Sequence, residues 1–343
     1  MSDEQEGDNY GREKKQLGYL DILRWTAIAM VVMLHVVSGV SDTIAVEMNQ
    51  GQKIVYETVK NLMTAGVPIF LMISGALFLT PEKKITIERL LKHYVRRILL
   101  ALLIFGTVFA VMELVMTERT FFLTMVGKGF LMTLSGNTWA HMWYLYELIG
   151  LYLITPLLKV VIAYGGKRLL EYGLLLGFCF SSILPFAEQL TGFYLGFTYP
   201  FAGIYLFYYV AGYYLRDCVE WSWKIGGAVA AVMGVILIVN GFCLQLFPVS
   251  YDSPWIVLMS MGIFLAVSRA NVSGSWFSVH RGLCFGIYLI HPVFLNFFYK
   301  FLHITPLRIG YAGILIFWIL TFILSCVAAQ IMIMIPPLRK YVV

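Results

Sequence analysis

Along this chain, long apolar stretches alternate with short clusters of charge, glycine, proline and asparagine. A helix needs about 20 predominantly apolar residues to cross a bilayer. On that criterion ten spans are predicted, with limits at about 18–40, 59–80, 97–117, 141–163, 169–187, 199–215, 222–247, 254–270, 282–302 and 308–335. The segment 120–134, FFLTMVGKGFLMTLS, is apolar but short and interrupted by Gly127, Lys128 and Gly129, which predicts an interfacial or re-entrant piece. Residues 1–16 are polar and predict a disordered cytoplasmic tail ahead of one transmembrane domain, 17–343. The first apolar run is too long for a signal-peptide core and has no small-x-small cleavage site, so it is expected to stay as the first span.

Composition agrees with the pattern. Hydrophobic residues make up 60% of the 343, charged residues 13%, and the mean hydropathy is +0.80, which excludes a soluble domain. The fold class expected is an all-α polytopic membrane protein, one bundle of about ten helices with both termini cytoplasmic. Charge supports that topology, because ten crossings put nineteen of the 25 Lys and Arg residues inside and six outside. The net charge of +6 therefore reflects topology and contact with anionic lipid, not nucleic-acid binding. Five cysteines, Cys179, Cys218, Cys243, Cys284 and Cys326, include no CxxC pair, so neither a disulfide framework nor a metal site is expected.

Four constellations carry candidate chemistry. In the first span Arg24 and His35 are eleven residues apart, almost three turns, and so share one face about 16 Å apart along the axis. Asp21 precedes Arg24 by one turn and can neutralise it. Ionisable groups in such a segment are costly and suggest a functional site; the plainer alternative is a histidine bonded to a neighbouring carbonyl and an arginine reaching the headgroups. The loop PEKKITIERLLKHYVRRILL after the second span is strongly basic, with Arg89, Lys92 and Arg96 on one helical face and Arg97 beside them. It suits a polyanionic phosphate ligand, or serves only as a topology signal. The segment NTWAHMWYLYELIGLYLITPLL brings His141, Trp143, Tyr144, Tyr146 and Glu147 to the predicted outer surface, where aromatics form an interfacial belt or stack on a carbohydrate. In FGIYLIHPVF, His291 lies near mid-membrane and Pro292 frees a backbone carbonyl, which the histidine can bond. In AGVPIFLMISGALF, Pro68, Ser74 and Gly75 predict a kinked, closely packed helix.

Taken in order, LDILRWTAIAMVVMLHV, AGVPIFLMISGALFL, AHMWYLYELIGLYLITPLL, FYYVAGYYL and GIYLIHPVF resemble the acyltransferase-3 family of integral membrane O-acyltransferases, over about residues 17 to 335. The resemblance implies a ten-helix enzyme of a bacterial cytoplasmic membrane. Such an enzyme moves an acyl group, usually acetyl, from cytoplasmic acyl-CoA to a hydroxyl of a cell-surface polysaccharide or lipid-linked sugar. It implies that His35 is the essential histidine and Arg24 its paired arginine, with Asp21 beside it. The family's third-helix motif, two arginines with three residues between them, is represented here by Lys92 with Arg96 and His93 with Arg97. Arg89, Lys92, Arg96 and Arg97 would then hold the phosphates of acetyl-CoA, and His141, Trp143, Tyr144, Glu147 and His291 the acceptor. The chain resembles the short members that lack an extracellular esterase-like domain. Direct attack by the hydroxyl and an acyl-histidine intermediate both fit. The alternative from the residues is an exporter of polysaccharide or a small anion with a His/Arg proton relay.

Overall fold

Helix follows the apolar stretches because a backbone in hydrocarbon must satisfy its own hydrogen bonds. The computed structural model describes residues 2–44, 48–83, 85–197, 199, 203–243, 245–270 and 275–342. Lys84 of the basic loop, residues 200–202 of the sixth predicted span and residue 244 of the seventh lie outside the described residues. Every regular element among the described residues is helical. In chain order these are α1 (Ser2–Ile44), α2 (Gln50–Met63), α3 (Gly66–Phe78), α4 (Ile87–Arg89), α5 (Arg96–Glu118), α6 (Thr124–Leu134), α7 (Trp143–Phe178) and α8 (Leu184–Thr191). They continue with α9 (Ile204–Asp217), α10 (Trp223–Phe242), α11 (Pro254–Arg269), α12 (Ser275–Val279), α13 (Leu283–Asn296), α14 (Ala312–Met334) and α15 (Pro336–Tyr341).

Among the described residues seven helices are long and apolar enough to cross a membrane: Gly18–Val40, Gln50–Phe78, Ile87–Glu118, Ala140–Thr191, Trp223–Phe242, Leu283–Phe301 and Ala312–Met334. The difference from ten has local causes. The fourth and fifth predicted spans run together in one 52-residue helical segment, bent where Gly166 adopts φ 68° and ψ 177°. The sixth and eighth become α9 and α11, of 14 and 16 residues, shorter than a straight crossing needs. The second is broken between α2 and α3, because Pro68 has no N–H for the Thr64 carbonyl and its ring crowds that carbonyl. Segment 120–134 folds as α6, a short helix lying along α5, with Gly129 and Gly106 at the contact. The backbone of residues 2–16 continues α1, whose helix is assigned from Ser2.

The outside of the bundle is apolar. On α14, Leu315, Ile319, Ile323, Val327 and Ile331 are all exposed along one face, as lipid contact demands. Together with the seven apolar helices this makes the chain a multi-pass membrane protein. The first span of α1 is interior: Leu20, Leu23, Ala27, Ile28, Val32 and Val36 are fully buried, between α2, α3, α13 and α14. Its polar residues Asp21, Arg24 and His35 thus belong to the protein core and not to a lipid face. Lipid tails are as apolar as leucine, so helix association depends on close packing of small residues. The tightest contact joins α3 to α9, where Gly75 meets the Tyr209 carbonyl and Gly212 the Met72 carbonyl. Gly226 of α10 and Gly262 of α11 face each other similarly. Gly226→Ala is therefore expected to destabilise the protein by about 1–3 kcal/mol, the usual cost of overpacking, read as a lowered unfolding midpoint in detergent.

Candidate functional site

Three histidines from three separate parts of the chain meet inside the bundle. The His35 ring of α1 lies 5.0 Å from that of His291 on α13 and 6.4 Å from that of His141, and the last two are 5.6 Å apart. His141 and His291 are buried; His35 is partly accessible. His141 sits in the 3₁₀ turn Ala140–Met142 that opens α7. The position of His291 follows from its neighbour. Pro292 cannot donate to the Tyr288 carbonyl, and His291 Nδ1 takes that place at 2.9 Å, with the Ile287 carbonyl at 3.1 Å. Two carbonyls can only accept, so Nδ1 carries the proton and Nε2 keeps its lone pair. The Tyr288 hydroxyl donates to the backbone carbonyl of His141. Neither His141 Nε2 nor His291 Nε2 has a hydrogen-bond partner among the described residues. No trio of His, Cys, Asp or Glu among the described residues is placed to hold a metal ion.

Next to the histidines, across Tyr288, lies a cavity of about 260 Å³. Arg24, Arg97 and Arg281 line it with Ser74, Tyr94, Tyr144, Tyr152, Phe285 and Tyr288. Tyr288 is its link to the histidines: its ring is 5.6 Å from Tyr144, 5.7 Å from His141 and 6.4 Å from His291. Ser74, Tyr144 and Tyr152 stand together on the cavity wall. Arg24 forms an ion pair with buried Asp21, as their spacing predicted. More cations surround this end. Lys83, in the loop after α3, is held below the ordinary lysine pKa by partial desolvation and then by repulsion from Arg216, Lys159, Arg89 and Arg24.

The basic loop departs from its sequence reading. Arg89, Lys92 and Arg96 do not share the face that lines the cavity, because a π-helical turn over Leu90–Val95 shifts the register between α4 and α5. Arg89 and Lys92 instead border a separate shallow groove with Thr86, Glu88 and His93, and Lys92 pairs with Glu88 at 2.6 Å. Arg96 is exposed, its guanidinium 5.3 Å from the centre of the Tyr341 ring. Arg97 alone of the four turns inward, half-buried, donating to the Val342 carbonyl at 3.0 Å and lying 5.9 Å from the Phe285 ring.

The aromatic segment at the start of α7 is not a lipid-facing belt. Tyr144 is buried, and Trp143 packs at 5.0 Å on Tyr205 of α9 and at 5.5 Å on Tyr251. Tyr146 donates to the Thr133 carbonyl of α6. Half-buried Glu147 acts electrostatically on Tyr205, as does Asp252. Glu147 therefore belongs with Tyr205 and Tyr251, whereas His141 belongs with the histidines. Sequence reasoning missed Arg281, Tyr205, Tyr251 and Glu113. Glu113 accepts from Trp139 Nε1 at 3.1 Å and pairs with Lys300 at 3.1 Å, tying α5 to the turn after α13. A carboxylate inside the apolar third span was a readable signal for it.

A cluster of three histidines inside a bundle of membrane-length helices, with a cation-lined cavity joined to it through Tyr288, describes an integral membrane protein with polar groups in its interior. Residues 17–334 match the sequence profile of the acyltransferase-3 family, described as an acyltransferase domain, and the chain belongs to that family. Comparison with curated proteins gives no match, and neither does comparison with solved structures.

Proposed function

We propose that the protein is an O-acyltransferase, most simply an O-acetyltransferase, of a bacterial cytoplasmic membrane. It takes its acyl group from cytoplasmic acyl-CoA and passes it to a hydroxyl of a cell-surface polysaccharide or lipid-linked sugar. The observation that carries this reading is the cavity. It has Arg24, Arg97 and Arg281 on its walls and Tyr144 and Tyr288 at its inner end, against the histidines. A donor with phosphates at one end of a flexible arm and a thioester at the other fits that polarity. Guanidinium groups bind phosphate bidentately, and the three histidines supply bases where the thioester would arrive.

In this reading the basic end is cytoplasmic and both termini lie there. Ten crossings follow if the bend at Gly166 separates two of them and α9 and α11 cross a locally thinned bilayer. His35 takes the proton of the acceptor hydroxyl, and the oxygen forms the new ester bond to the acyl carbon. The C–S bond breaks, and the CoA thiolate leaves and is protonated in turn. If the route runs instead through acyl-His35, acyl-CoA alone labels the protein stoichiometrically; direct transfer leaves it unlabelled.

The donor site has its own test. Arg97→Glu is expected to weaken acetyl-CoA binding by about tenfold or more in a salt-sensitive way, given what charge-assisted bonds contribute. Arg96→Glu, at the exposed rim, is expected to change it much less. Equal effects measured by calorimetry would remove the cavity as the donor site.

A further inference from the structure

A second cavity, of about 330 Å³, lies inside the bend of α7 and shares no lining residue with the arginine-lined one. Both arms of the helix wall it, Ile162 before Gly166 and Leu170, Gly173 and Leu174 after it, and Phe207 and Val210 of α9 form the third side. Gly173 leaves room, since nothing lies within 4 Å of a Cβ there. Val161 and Leu169 also line the cavity and are exposed on the apolar outside of the bundle, so it opens to the hydrocarbon. The bend itself has the opposite chemistry. Lys167 and Arg168 stand there between Tyr164 and Tyr172, both exposed, and tyrosine marks the headgroup level of a membrane. Lys167 donates to the Cys218 carbonyl at 2.9 Å and pairs with Glu171 at 3.8 Å. Arg168 is exposed and has no ion pair among the described residues. It precedes Tyr172, a wall residue, by one helical turn and so shares its face. Lys159 bonds the Thr80 and Lys83 carbonyls, which fixes the bend at the same end of the bundle as the other cations.

We propose that this cavity binds one acyl chain of an anionic phospholipid, whose phosphate meets Arg168 at the bend. The site stands apart from acyl transfer and does not depend on it. An apolar cavity stays dry, and one that opens to the bilayer is filled from it. Charge selects among the lipids: between residues 159 and 172 the cations Lys159, Lys167 and Arg168 face one carboxylate, Glu171. Basic pockets between transmembrane helices at headgroup level are where anionic headgroups bind. The chain bridges the two arms of α7 and α9. Because α9 holds α3 through Gly75 and Gly212, the lipid supports the helix packing from outside.

The test is native mass spectrometry of the full-length protein in detergent, titrated with dioleoyl phosphatidylglycerol. One lipid is expected to be retained, with dioleoyl phosphatidylcholine binding about fivefold more weakly, the effect of one basic residue at an anionic headgroup. Dihexanoyl phosphatidylglycerol, with the same headgroup on short chains, and glycerol phosphate, with none, are expected to bind far less, which separates a lipid from free phosphate. Arg168→Glu is expected to weaken phosphatidylglycerol binding by about tenfold or more and to leave phosphatidylcholine unchanged. Gly173→Phe places a ring in the cavity where no protein atom obstructs the Cβ. It is expected to abolish retention while keeping the wild-type melting temperature measured without added lipid. A phosphatidylglycerol with a diazirine on its acyl chain is expected to crosslink the wild-type protein within 158–177 and 206–210. Equal affinity for the two dioleoyl lipids, retention by Gly173→Phe, or crosslinks confined to other helices would each overturn the proposal. If Gly173→Phe fails to fold, the crosslink map of the wild-type protein decides.

Discussion

His35→Ala is expected to lower acyl transfer by about 10²–10⁴-fold, the range that a well-placed general base contributes. Donor affinity and unfolding midpoint should change little. His35 lies on the central helix, partly accessible, against the rings of His141 and His291. Arg24, one of the arginines that would hold the donor, lies about 16 Å away along α1, at the rise of about 1.5 Å per residue. Removing the imidazole therefore takes away the proposed base without touching the proposed phosphate site or the α3–α9 contact. His35→Gln, which keeps bulk and hydrogen bonding but is no base at neutral pH, should be nearly as inactive. Measuring kcat alongside acetyl-CoA affinity separates this from a structural role, in which affinity and stability would fall together.

Gly75→Ala should be the most damaging single methyl group in the fold. A Cβ at Gly75 would stand 1.6 Å from the Tyr209 carbonyl oxygen, and one at Gly212 would stand 2.0 Å from that of Met72. Both obstacles are backbone, so no side chain can rotate away, and α3 and α9 must separate. Overpacking costs about 1–3 kcal/mol and more when backbone has to move; the upper end or beyond is expected here. The site should suffer as well. α3 supplies Phe70, Ile73, Ser74, Leu77 and Phe78 to the cavity wall, and α9 is tied to α7 by the Tyr209–Thr155 hydroxyl pair at 2.8 Å. Gly227→Ala is the control, since nothing lies within 4 Å of a Cβ there. Thermal unfolding in detergent should show a large drop for Gly75→Ala and none for Gly227→Ala.

What the sequence made legible was mostly local. The Asp21–Arg24 pair follows from spacing on one helix, and the breaks at Pro68 and Gly166 follow from residue type. The link between His291 and the carbonyl freed by Pro292 was readable for the same reason. Each histidine was identifiable as an expensive residue in an apolar segment. Their meeting was not, because it depends on how α1, α7 and α13 pack, and no period in the chain encodes that. The π-helical turn before α5 was equally hidden, since one residue of register decides whether Arg96 or Arg97 reaches the cavity. Arg281 and Tyr288 gained meaning only from the cavity they line, and Trp143 and Glu147 only from Tyr205 and Tyr251 across the bundle. Helix count was blurred by α9 and α11, whose 14 and 16 residues fall short of the length rule.

In the proposed function an acyl group, and not a whole glycan, is what this site handles. The direct measurement is a proteoliposome assay with acetyl-CoA labelled in the acetyl group on one side and a lipid-linked sugar in the bilayer, following ester formation and glycan position together. Labelled ester on the sugar, stoichiometric release of CoA thiol, and loss of both in His35→Ala are expected. Movement of the glycan across the membrane with no acetyl-CoA consumed would contradict it and make the protein a transporter.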